Sequence, residues 1–298
     1  MTKTLNALPD GFTIGADPEL FVVNTRTNKP VSAVGLIPGD KDKPFVVSGE
    51  RTISNGETSE TFKYGGAIQV DGLALEFNVD PCSDFDTFNN NIRGVMLHMN
   101  DELKKNGKEL SFLIVPSVQF DLDYYDNLPD DAKILGCNPD NNAWLDGAEN
   151  PAPNGDDGSR SAAGHIHIGW GSDIPVDHPE HIGVCNDFVK HLDNYAGLFD
   201  RAICSDNKRR LLYGRAGAHR RKSYGVEYRV PGNAWLKSRS RRQFMFNTVK
   251  RAIEDMTKGN FRSDDVQYLI NDSAYAGKDG SAAAQFAVTG MTIPASCY

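Results

Sequence analysis

Apolar positions along this chain recur with two different periods. FTIGADPELFVVN (residues 12–24) reads as a strand, TRTN as a turn and KPVSAVG as the return strand of a hairpin. Residues 36–66 are rich in Gly, Lys, Asp and Pro and show little periodicity, which predicts a long irregular excursion with room only for short strands. In GGAIQVDGLALEFNVDP two short strands meet at Gly72. In the second, Leu73, Leu75 and Phe77 take one face, and Glu76 and Asn78 take the other. From Asp84 the period changes. Phe85, Phe88, Ile92, Met96, Met99 and Leu103 recur at helical spacing, and Gly107 supplies a stop. LSFLIVPSVQFDL is strand-like, and Pro116 within it demands an edge or a bend. Residues 136–160 are dense in turn formers and predict a long loop. GHIHIGW and YGVEYRVPG read as strands. Two further helices are predicted, over about His181–Ile203 and Arg241–Lys258, the last ended by Gly259. Strands joined by hairpins and long loops, with three long helices, predict an α+β fold. A doubly wound sheet would alternate strand and helix regularly. No repeat and no linker breaks the chain, so residues 1–298 read as a single domain.

Composition narrows the class. Of the 298 residues, 39% are hydrophobic and 24% charged, as in a globular protein. No apolar run is long enough to span a bilayer, and MTKTLNALPDGFTIG lacks the cationic and apolar regions of a secretion signal. Five scattered cysteines (Cys82, Cys137, Cys185, Cys204, Cys297), with no CxxC pair, argue against a disulfide framework or a zinc ribbon and fit a reducing cytoplasm. The net charge of −8 is unevenly spread. From Arg201 to Arg262 there are 17 Lys and Arg against 4 Asp and Glu, a local +13 that leaves −21 on the remainder. That asymmetry suits either a solvated surface or an anion site set against acidic metal ligands. Bulk nucleic-acid binding fits poorly with an acidic chain.

Four short stretches carry candidate chemistry. Asp17 and Glu19 in GADPEL share a strand face, where two carboxylates repel unless water or a cation separates them. Glu76 in ALEFN sits on a half-buried strand and needs a partner or a metal if it turns inward. His165 and His167 share a face, opposite Ile166 and Ile168. Glu227 and Arg229 share another, preceded by Arg215, Arg220 and Arg221, whose guanidinium groups suit phosphate or carboxylate. Each stretch, taken alone, reads equally as an exposed strand, an open sheet face or a surface salt bridge. An HxH pair could hold zinc in a hydrolase, but the other candidates here are carboxylates, which favour Mg²⁺ or Mn²⁺. There is no P-loop, no dinucleotide fingerprint and no GxSxG elbow, so any nucleotide is held by cations and metals.

In this order, DPELF, DGLALEFN, AGHIHIG and YGVEYRVPGNAWL resemble the glutamine-synthetase superfamily, and most closely its phage-encoded carboxylate–amine ligases, over about residues 11–240. The resemblance implies a curved antiparallel sheet lined with metal ligands, with helices behind it. It implies an enzyme that uses ATP and two or three Mg²⁺ or Mn²⁺ ions to phosphorylate a carboxylate, which an amine then converts to an amide. By motif position, Glu19 and Glu76 would hold the metal near the substrate carboxylate, and Asp17, His165 and Glu227 the metal at the ATP phosphates. His167 would touch the nucleotide, with Arg215, Arg220 and Arg221 beside it. Arg220, Arg221 and Arg229 would stabilise the transferring phosphoryl group. Asp17 stands where many relatives have Glu. The superfamily's further carboxylate has Asp71 as its candidate, turned inward by a bulge at Gly72. The substrates implied are a small-molecule or peptide carboxylate and an amine, in the cytoplasm (the host's, if phage-encoded). An oligomer is compatible, since superfamily members range from small assemblies to large rings. The rival readings are a guanidino-kinase-like phosphotransferase of related fold, a nucleotide-binding protein that has lost turnover, and a zinc hydrolase that works without ATP.

Overall fold

A computed structural model describes residues 11–54, 56–134, 140–151, 157–171, 175–275, 277, 282, 285, 286 and 289–298. Residues 1–10, Gly136 and Cys137 lie outside them, and with them part of the N-terminal stretch and of the long loop read from the sequence. The other four cysteines are buried and free. Among the described residues no helix is long and apolar enough to cross a membrane.

The strands are β1 (Thr13–Asn24), β2 (Lys29–Val31), β3 (Phe45–Ser54), β4 (Ser59–Asp71), β5 (Ala74–Cys82), β6 (Leu110–Leu113), β7 (Ser117–Gln119), β8 (Asn141–Asn142), β9 (Ala148–Glu149), β10 (Ser159–Ser161), β11 (Gly164–Gly169), β12 (Ala218–Lys222) and β13 (Gly225–Tyr228). The helices are α1 (Phe85–Asn106), α2 (Leu122–Asp126), α3 (Asp130–Lys133), α4 (Pro179–Leu192), α5 (Leu198–Ile203), α6 (Lys208–Leu212), α7 (Arg239–Thr257) and α8 (Gln267–Asn271). Eleven strands form one antiparallel sheet in the order β3-β4-β5-β1-β11-β13-β12-β8-β9, with β2 and β6 on the second half of β1; β7 and β10 pair separately. The α+β class read from the periodicity is the class observed.

One sheet face is apolar. Ile14, Ala16 and Leu20 of β1, Leu75 and Phe77 of β5, Ile166 and Ile168 of β11, and Val226 and Tyr228 of β13 are buried in one core. Helices α1 and α4 cover them, and α7 packs against both helices. α1 starts where expected, because the Asp84 carboxylate accepts the Thr87 N–H at 2.9 Å. Its inward stripe runs through Phe88, Ile92, Val95, Met99 and Leu103, while Lys104 and Lys105 in the last turn suit the helix dipole. Gly107 ends the helix in an extended conformation, so its lack of a side chain is not what stops it.

Three expectations change. Residues 36–66 are not mainly irregular. They contain β3 and most of β4, a hairpin paired over ten residues from Phe45–Ile68 to Ser54–Ser59. Most of β3 is exposed, so apolar alternation had no reason to mark it. The helix expected over 181–203 is α4 and α5 joined by a π-helical turn, Asp193–Gly197. That turn buries the Asp193 carboxylate, which accepts hydrogen bonds at 2.7 Å from Trp144 Nε1, Gly217 N–H and the Tyr228 hydroxyl. One side chain thereby ties the 141–149 segment and the approach to β12 to strand β13. The predicted loop 136–160 also carries β8 and β9, which extend the sheet beyond β12.

Candidate functional site

The other sheet face gathers the chemistry, and strand register does the gathering. Asp17 stands opposite His165 and Gly15 opposite His167. Glu19 stands opposite Glu76, which in turn faces Gln69. On the far side, His167 pairs with Glu227 and Glu227 with Arg220. Residues two apart on a strand share a face, so these pairs form a continuous polar row across six strands. Four motifs far apart in sequence thus reach one surface.

Around Asp17 the row is dense and neutralised. Asp17, His167 and Glu227 each offer a ligand atom, and these atoms lie within 4.8 Å of one another. His167 Nε2 is 2.9 Å from Asp17 Oδ1. His165 Nδ1 is 3.3 Å from the same oxygen and 3.5 Å from Glu227 Oε1. Both imidazoles therefore reach the Asp17–Glu227 pair, whereas the sequence reading reserved the metal for His165 and the nucleotide for His167. Asp17 Oδ1, His165 Nε2, His167 Nε2 and Glu227 Oε2 are buried, and none makes a well-formed hydrogen bond. Buried polar atoms are rarely left so, and three of these residues, Asp17, His167 and Glu227, bring ligand atoms close enough to share a cation. His167 Nδ1 is hydrogen-bonded to the Tyr224 hydroxyl. When Nδ1 donates there, Nε2 presents its lone pair to the cluster. Burial works to raise the Asp17 pKa, but His167 and His165 outweigh it and hold the carboxyl well below its usual range. Burial likewise opposes charge on His167, but Asp17 and Glu227 raise its pKa. His165 is pushed down to about 4 by burial and by Arg229.

One strand away the row is acidic and underneutralised. Glu19 is pushed up to about 7 by burial and by Asp71, although the Ala163 N–H, donating to Glu19 Oε2 at 2.8 Å, pulls the other way. Glu76 is raised well above the carboxylate range by burial and by Asp17, Glu19 and Asp71. Gln69 Nε2 donates to Glu76 Oε2 at 2.8 Å. Asp71 does lie beside this pair, but it needs no bulge. It shares the face of Gln69 by strand alternation, and Gly72, with φ of +56°, is the left-handed turn residue that starts β5 back. Lys41 holds Asp71 at 2.8 Å.

The cations divide. Arg229 bridges two buried carboxylates, donating from Nε to Asp140 Oδ1 at 2.6 Å and from Nη1 to Glu227 Oε1. Its guanidinium lies 4.9 Å from the centre of the Tyr213 ring, whose hydroxyl also donates to Asp140, at 3.1 Å. Arg220 Nη1 is 3.7 Å from Glu227 Oε2. Arg221 does not join them. It pairs with Val226, so the strand's two-residue period sends its side chain to the helix-covered face. Arg215 is exposed in the loop before β12, and among the described residues no ion pair ties it to the cluster. Four neighbours escaped the sequence reading: Asp140 in the predicted loop, Tyr213, Gln69, and Lys222, whose Nζ lies 2.8 Å from Glu227 Oε2. Only Lys222 had a signal, its spacing of two from Arg220.

Beside the cluster opens a cleft of about 530 Å³. Asp17, Glu76, His167 and Tyr224 line it together with Ala16, Val79, Pro81 and several glycines. A mostly apolar cleft with a few polar groups in its lining is the general form of a small-molecule site.

Residues 159–288 match the family model described as "Phage phiEco32-like COOH.NH2 ligase-type 2", which bears out the likeness drawn from the motifs. The matched segment contains His165, His167, Arg220, Glu227 and Arg229; Asp17, Glu19 and Glu76 precede it. No curated protein matches the chain.

Proposed function

We propose that this chain is a carboxylate–amine ligase that depends on ATP and divalent metal ions. The family description supports a ligase acting on a carboxyl and an amino group. The observation that carries the finer reading is the convergence of ligand atoms from Asp17, His167 and Glu227 within 4.8 Å of one another, buried beside Arg220 and Arg229. Carboxylates mixed with imidazole fit Mg²⁺ or Mn²⁺ better than a structural zinc site, which wants more nitrogen or sulfur. Asp17 and Glu227 with His165 or His167 would hold one ion, and Glu19 and Glu76 a second. Ions there would neutralise phosphate oxygens and draw charge off the transferring group.

The remaining work falls to the chain itself. The cleft would take the nucleoside end of ATP between its apolar walls, leaving the phosphates toward His167. Arg220 and Arg229 would supply fixed positive charge around the transferring phosphoryl group. Arg229 is already held by Asp140 and Tyr213, so little reorganisation would be needed during the reaction. The first step would form an acyl–O–P bond as the bond from the γ-phosphorus to ADP breaks. In the second, an amine nitrogen would bond to the acyl carbon, phosphate would leave with the C–O electron pair, and the proton lost by the nitrogen would pass to the departing phosphate. A glutamine-synthetase-type curved sheet lined with metal ligands is the architecture this reading assigns to the antiparallel sheet.

The test is full-length protein with ATP and Mg²⁺ against pooled amino acids and amines, read by phosphate release and by the mass of an amide product. Amine-dependent phosphate release with a new amide is the expected result. ATP consumption that leaves a stable phosphorylated product would favour the phosphotransferase. Amide formation without ATP, or no turnover of ATP with any pool, would overturn the reading.

A further inference from the structure

We infer that Lys222 is a displaceable counter-ion: its ammonium holds Glu227 Oε2 when no metal is bound and must leave before that oxygen can serve as a ligand. The inference rests on the cation site proposed at Asp17, His167 and Glu227. Glu227 is almost fully buried, and three cations crowd its carboxylate: Arg229 on Oε1, with Lys222 Nζ at 2.8 Å and Arg220 Nη1 at 3.7 Å from Oε2. The three are not equivalent. Arg229 is buried and bound at its other edge by Asp140, so it cannot swing away without giving up its contacts to two buried carboxylates. Lys222 is different. Its side chain is 30% exposed and that of Arg220 31%, but Lys222 lies nearer Oε2, ends strand β12 next to the turn into β13, and carries its charge on a flexible four-carbon stem. Its backbone stays put when the side chain moves, because the Lys222 carbonyl oxygen is 2.9 Å from His181 Nε2. A divalent ion drawing on Glu227 Oε2 and an ammonium 2.8 Å from the same oxygen occupy the same space and compete for the same lone pairs. Metal loading would thus free one ammonium two residues from Tyr224, which lines the cleft.

Direct competition can be told from a mere field effect. Coulomb energy falls only as the inverse of distance, so a field effect from Lys222 and one from Arg220 on the same oxygen should be of similar size. The experiment titrates Mn²⁺ into the full chain at fixed pH without nucleotide, reading free Mn²⁺ by electron paramagnetic resonance. The proteins are the wild type, Lys222→Met, Lys222→Arg, Arg220→Met and Asp17→Asn, each checked for a native melt. Competition predicts that Lys222→Met binds at least about tenfold tighter than the wild type. Lys222→Arg should bind no tighter, and Arg220→Met should stay within about threefold. Equal tightening by Lys222→Met and Arg220→Met, or none by either, overturns the role of Lys222 and leaves the cation site standing. If the wild type binds no Mn²⁺, or binds it no better than Asp17→Asn, the cation site fails and the inference fails with it.

Discussion

Asp17 and Glu76 stand on neighbouring strands and face the same side of one sheet, yet their surroundings settle their charges in opposite senses. Asp17 lies between two imidazoles and is held well below the carboxylate range in spite of its burial. Glu76 shares its surroundings with Glu19 and Asp71, has a neutral amide as its hydrogen-bond donor, and is raised well above that range. The Asp17 side is a preformed anion stabilised by two imidazoles, beside a Glu227 held by Arg229 and Lys222. On the Glu76 side Lys41 holds Asp71, while the charged form of Glu76 is disfavoured by burial and by its acidic neighbours and is costly until a cation arrives. A cation added to the first side meets groups already paired with one another, the Lys222 ammonium on Glu227 among them. A cation added to the second side relieves a repulsion that is already there.

The largest expected effect tests the first side. Asp17→Asn keeps the shape but removes the charge both imidazoles face, and should lower ATP-dependent turnover by roughly a thousandfold, in the range for a major electrostatic contact. Turnover within a few-fold of wild type would make the Asp17 cluster structural. Glu76→Gln should cost about a hundredfold in turnover. It keeps an acceptor for Gln69 and removes a carboxylate whose charge burial disfavours, so the metal-free protein should melt no lower than wild type. A destabilised Glu76→Gln would mean that the second side is held together by its charges rather than strained by them.

These pairings show what a sequence can and cannot announce. Asp17 with Glu19, His165 with His167, and Glu227 with Arg229 were legible because a strand repeats every two residues and each pair must share a face. That the four stretches meet on one surface follows from register, which no single stretch contains. Arg220 and Arg221 looked like a doublet, but the same two-residue rule sends them to opposite faces. Asp140 was hidden in a run of turn formers, and only the fold brings it 2.6 Å from Arg229. The β3–β4 hairpin was missed for the opposite reason: much of its outer half is exposed, and without a buried face there is no alternation to read.

Within the first side, ligands can be separated from phosphoryl contacts. His165→Ala should weaken metal binding by roughly ten- to a hundredfold and be partly rescued by excess Mn²⁺, since mass action refills a weakened site. Arg229→Lys keeps the charge but loses the planar fork that spans Asp140 and Glu227. Its defect should appear in kcat more than in ATP affinity, and Mn²⁺ should not restore it. Rescue of both variants alike would erase the distinction between metal strand and phosphoryl strand.

The smallest effect is a pH dependence on the second side. Glu19 has a folded pKa of about 7 against the usual 4.5, so between those values the folded chain binds more protons than the unfolded one. Its contribution to stability is therefore complete below about 4.5 and is lost as pH rises through 7. The metal-free wild type should lose roughly 2–5 °C more of its Tm between pH 5 and 8 than Glu19→Gln does. Saturating Mg²⁺ should shrink that difference. Parallel Tm curves would show Glu19 to be ionised and already compensated.

The central claim is that one divalent ion sits where Asp17, Glu227 and an imidazole converge. Crystals soaked in Mn²⁺ and measured near the manganese absorption edge test it most directly. The account predicts an anomalous peak bounded by Asp17 Oδ1, Glu227 and His165 or His167, with Lys222 turned away from Glu227. A map with no peak at that point, or with manganese bound only at surface carboxylates, would contradict it.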